Sequence, residues 1–137
     1  MENNNILIRA IFEILGSPKD HVEATMNLVL DKVKEIEGVE IKSSETYEAK
    51  EVEGKLWSTF SEVEFEVKDI ELLMNICFNF MPSSIEIIEP GKLIEDAHKM
   101  SNFFNDLLGR LHKYDMLVKN LNAQNLIMQK ELKDKKE

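Results

Sequence analysis

The sequence predicts an α+β head over residues 1–90, in the order β-α-β-β-α-β, followed by one long helix over residues 91–137. Three observations predict it. Before Pro90, stretches of alternating apolar and polar residues are interleaved with stretches of helical spacing. From Leu93 onward, apolar residues recur in a 4-3 pattern with no further proline. Charge divides at the same place. Residues 1–90 carry 8 Lys and Arg against 19 Asp and Glu, whereas residues 91–137 carry 9 against 7.

The head elements follow in order. Ile6, Ile8, Ala10, Phe12 and Ile14 alternate with a mixed set that includes Arg9 and Glu13, as in a strand buried on one face. Ser17 then offers an N-cap, with Pro18 at the first helical position and Asp20 at the third. Val22, Met26, Val29, Val33 and Ile36 continue at helical spacing, and Gly38 marks the end. Val39–Tyr47 starts apolar and turns polar, the pattern of an edge strand. Gly54 lies in a polar connection. In Trp57–Val67 the apolar Val63, Phe65 and Val67 alternate with Glu62, Glu64 and Glu66. Asp69 can cap a short apolar helix that contains Leu73, Ile76 and Cys77 and stops at Pro82. Ser84–Glu89 completes the set as a fourth strand.

The tail reads as heptads. Ala97, Phe104, Leu111, Val118, Asn125 and Leu132 take position a, and Leu93, Met100, Leu107, Tyr114, Leu121 and Met128 take position d. A period near 3.5 predicts a left-handed coiled coil, and a buried Asn at one a position favours a two-stranded register. A helix over Lys92–Asp134 would span roughly 65 Å at ~1.5 Å per residue. A 90-residue head has a radius of gyration of only about 13 Å. The distal stripe therefore needs a second surface, and another copy of the chain is the simplest. The expected seam is Leu107, Leu111, Tyr114, Val118, Leu121, Asn125, Met128 and Leu132. The alternative is a long helix folded back over its own sheet, with Gly109 as the place to bend.

Two right-handed β-α-β connections around a central hairpin make a ferredoxin-like sandwich, with both helices on one face of the sheet. The element order resembles that superfold, ACT-like regulatory domains included. The resemblance implies a small-ligand site at the turn before the first helix, here Gly16, Ser17 and Asp20, where backbone N–H groups can meet an anion. The segment Ser84-Ile85-Glu86-Ile87-Ile88-Glu89-Pro90-Gly91-Lys92-Leu93 is similar to the last strand and helix start of the C-terminal domain of WYL-type transcription regulators. That likeness implies the same topology and no activity. No helix-turn-helix precedes it here, and the tail is longer than the closing helix of those proteins.

The remaining residues bear on chemistry. A formal net charge of −9 disfavours direct nucleic-acid binding, whose affinity comes from Lys and Arg on phosphates. No apolar run reaches the ~20 residues of a membrane span, and the N-terminus has no basic region typical of a secretory signal. The single cysteine, Cys77, suits a reducing, cytoplasmic compartment and reads as a buried small hydrophobe. His21, His98 and His112 stand apart, without the spacing of metal ligands. Glu62, Glu64, Glu66 and Glu86 form either a solvated sheet face or a surface for a basic protein partner. No catalytic set, cofactor or metal is expected. The expected function is a non-enzymatic homodimeric scaffold whose acidic heads meet a protein partner. The rivals are an ACT-like metabolite sensor and an accessory subunit of an RNA-linked complex.

Overall fold

The computed structural model describes residues 5–136. The chain divides into two compact units that join between Leu93 and Ile94. The first holds β1 (Ile6–Gly16), α1 (Lys19–Lys34), β2 (Val39–Thr46), β3 (Lys50–Val52), β4 (Leu56–Val67), α2 (Ile70–Phe80) and β5 (Ser84–Glu89). The second holds α3 (Ala97–Lys135).

The strands form one antiparallel sheet in the order β2-β4-β1-β5, with β3 also paired to β4. Alternation fixes the register. Ile8 lies opposite Phe65, and Ala10 opposite Val63, so the buried sets of β1 and β4 share one face. Met26 and Val33 of α1 and Leu73 and Ile76 of α2 join those residues in a single core, which places both helices on that face. The other face carries Arg9, Glu62, Glu64 and Glu66, along with Tyr47 and Phe60, whose ring centroids lie 4.6 Å apart.

Local chemistry sets the ends of the helices. Asp69 accepts a hydrogen bond from the Leu72 N–H at 2.8 Å and starts α2, which Met81 and Pro82 end. Gly38 follows α1 with φ +91°. That left-handed conformation favours glycine, and a Cβ there would also displace the Lys68 side chain, 2.9 Å away, and that of Leu72, 3.0 Å away.

Three expectations are corrected. The polar connection around Gly54 is structured: Lys50–Val52 pairs with Ser58–Leu56 as a fifth strand, closed by a turn in which Gly54 has φ +73°. Together β2 and β3 make one interrupted edge along β4. Ser17 does not cap α1, because the extended Pro18 occupies the cap position and no side chain bonds to the exposed N–H groups. The long helix begins at Ala97 rather than Lys92, because the Asp96 carboxylate accepts from the Lys99 N–H at 3.0 Å and fixes the first turn there. Leu93 therefore precedes the helix, and the Glu89–Pro90 exit from β5 does not run directly into it.

Candidate functional site

The α3 helix is one unbroken element of 39 residues, about 58 Å long at ~1.5 Å per residue, and it runs straight through Gly109. No turn forms there to reverse the chain. None of its residues is buried. Along the predicted seam Leu107 is half-buried, while Leu111, Tyr114, Val118, Leu121, Asn125, Met128 and Leu132 are exposed. Leu121 shows 63% of its surface and Val118 54%. Side chains three and four apart share one side of a helix, so these residues form a continuous apolar edge. The edge is broken only by the amide of Asn125. Leu108 and Leu117 widen it in the proximal half. A second set, Met116, Leu126 and Ile127, lies off the seam and is exposed as well.

On the head, the acidic face is organised by a residue the sequence reading left unassigned. Arg9 lies opposite Glu64 on one neighbouring strand and opposite Glu86 on the other. Its guanidinium reaches Glu64 at 2.7 Å, Glu86 at 3.2 Å and Glu62 at 3.4 Å. The hydrogen bond to Glu64 raises the Arg9 pKa above its ordinary value, against a weaker opposing effect of burial. Glu66 stands outside this cluster, 3.9 Å from Lys42. One guanidinium thus meets three carboxylates, so compensation from within the sheet is partial and the face keeps a net negative charge. The signal was present, since Arg9 is the one basic residue in an otherwise apolar and acidic strand, but cross-strand register is not legible in a single sequence. Replacing Arg9 by Met is expected to lower Tm at low ionic strength, with the deficit shrinking as salt screens the carboxylates. Thermal melts at two salt concentrations check this. Equal Tm values for variant and parent at low salt would remove the role assigned to Arg9.

Gly16 ends β1, Ser17 lies in the connection that follows, and Asp20 stands in the first turn of α1. Beside them Lys19 bonds Glu48 at 2.6 Å and lies 5.6 Å from the centre of the Trp57 ring. That pairing lowers the Glu48 pKa and raises that of Lys19. Glu48 therefore contributes stability above the ordinary carboxylate pKa, and this is lost as pH falls through its lowered folded value. Cys77 is half-buried rather than fully buried, and desolvation pushes its thiol pKa up, the opposite of activation. His21, His98 and His112 are exposed. Among the described residues no three His, Cys, Asp or Glu side chains gather in a way that could hold a metal ion. No helix among them is long and apolar enough to cross a membrane.

Neither a curated protein nor a solved structure matches the chain. The model of the MJ0538 family matches residues 7–137, taking in both the sheet and the long helix, and the chain belongs to that family.

Proposed function

We propose that the protein is a non-enzymatic homodimeric interaction module of the cytoplasm. Paired α3 helices form a coiled coil, and two acidic heads of ferredoxin-like topology are offered to a protein partner. The antiparallel order β2-β4-β1-β5, with α1 and α2 on one face, supports that reading of the head. One observation carries the self-association. A helix of 39 residues has no buried residue, and its 4-3 apolar edge is exposed from Leu111 to Leu132. Water contact along that edge is unfavourable by ~25 cal/mol per Å² of apolar surface, and a second identical edge removes it.

The mechanism is geometric. Joining two heads through one seam makes the second binding event on a two-site partner effectively intramolecular, which raises avidity without a new contact. The carboxylates around Arg9, together with the exposed Tyr47 and Phe60, favour a partner surface that is basic and partly apolar.

Light scattering on the intact chain and on a chain stopped after Leu111 tests the proposal. The intact protein should give twice its chain mass of 15.9 kDa, and the shortened one a single copy. An intact protein that stays at one chain mass at high concentration would sink it.

A further inference from the structure

We infer that the two copies of α3 meet parallel and in register. This rests on the self-association just proposed and adds its orientation, which the apolar seam alone does not set.

The information lies in the positions that flank the seam. In a parallel pair, each g residue faces the e residue five places later on the second copy, and charges there set orientation. With Ala97 at a, Arg110 faces Asp115 of the second copy, and Glu131 faces Lys136. Both are opposite-charge pairs. Gln124 faces Gln129, amide against amide, and Phe103 faces Leu108, apolar against apolar. Leu117 faces Asn122, the one mixed pair. No like charges meet. Asn125 meets Asn125 across the axis, where each amide can donate to and accept from the other.

The antiparallel alignment of greatest overlap reverses this agreement. There g faces g and e faces e. Asp115 would face Asp115 of the second copy, Phe103 would face Glu131, and Leu108 would face Asn122. Asn125 would stand in the core against Leu107, leaving its amide without a partner. Asp115 already has a helix neighbour in Lys119, 2.8 Å away, but a second carboxylate across the seam would still repel it. Exposed pairs are individually weak, so the orientation rests on the balance of all of them: the antiparallel alignment gains one apolar pair, Leu117 against Leu117, but loses both opposite-charge pairs and sets Asp115 against Asp115 and Asn125 against Leu107.

Disulfide trapping tests the orientation. In a Cys77→Ser background, cysteine is placed at Phe104 in one full-length variant and at Met128 in another. In the parallel register each site lies beside its own copy. In the antiparallel one the two sites face each other, and copies of one site are about 36 Å apart, at ~1.5 Å per residue over the 24 intervening steps. That is far beyond the ~7 Å Cα limit for a disulfide. Under oxidised glutathione, each variant alone should cross-link to itself. Variants that remain dimeric by light scattering when reduced, yet link only when mixed, would overturn the orientation and leave the dimer standing. Reduced variants and parent all at one chain mass would overturn both.

Discussion

Placing aspartate at both Val118 and Leu121 is expected to abolish self-association, weakening it by about 10⁴-fold or more. Each substitution exchanges an apolar contact worth ~1.5–3 kcal/mol for a carboxylate that resists desolvation. Each change occurs twice per dimer, so the loss is at least about 6 kcal/mol, and every ~1.4 kcal/mol is tenfold in affinity. Sedimentation of the parent and the double variant over a range of concentrations measures it. Asn105→Asp with Asn120→Asp is the matched control. It adds the same charge to the same helix away from the apolar edge, and it should leave the mass unchanged. A double seam variant that associates as the parent does would show that this edge is not where copies meet.

Phe65→Ala is expected to destabilise the head by about 3–5 kcal/mol, the usual cost of removing a buried phenyl ring. Phe65 is fully buried on β4, opposite Ile8 and Ile41, in the core that α1 and α2 share. For a unit of this size, each kcal/mol lowers Tm by roughly 4–8 °C, so the midpoint should fall by on the order of 20 °C. Phe60 makes the contrast. It is on the same strand but faces away from the core and is 43% exposed, so Phe60→Ala should cost far less. Urea unfolding of both variants, followed by tryptophan fluorescence from Trp57, separates the two positions. Equal losses would mean that the two faces of β4 are not distinguished as described.

Much of this architecture could be read from residue order because local signals agreed with one another. Alternation, strict in Val63–Val67 and with a mixed second face in Ile6–Ile14, assigned both strands and their buried faces. Asp69 and Pro82 bracketed α2 from opposite ends. What escaped reading depended on partners distant in sequence. Lys50–Val52 has no alternation, and it is a strand only because β4 extends far enough to bond it. Ser17 is a good capping residue one position too early for the helix that forms. Leu93 fits the 4-3 repeat, but the cap at Asp96 decides where the helix starts. On the candidate surfaces, Glu62, Glu64, Glu66 and Glu86 were evident, while Arg9 at their centre needed the register of three strands. The apolar edge of α3 was legible almost throughout, because a periodic helix carries its geometry in its spacing.

The two outer strands of the sheet have a further consequence. An unfinished sheet margin is a template on which identical molecules can stack into fibrils. Here one margin is β2 and β3, broken between them and bulged between Ile41 and Ser43. The other is β5, only six residues long, carrying Glu86 and Glu89 and stopped by Pro90. Each combines brevity or irregularity with charge, which makes strand-by-strand growth unfavourable. If copies pair through α3 as proposed, the molecule gains from having no second, open-ended way of meeting its own kind.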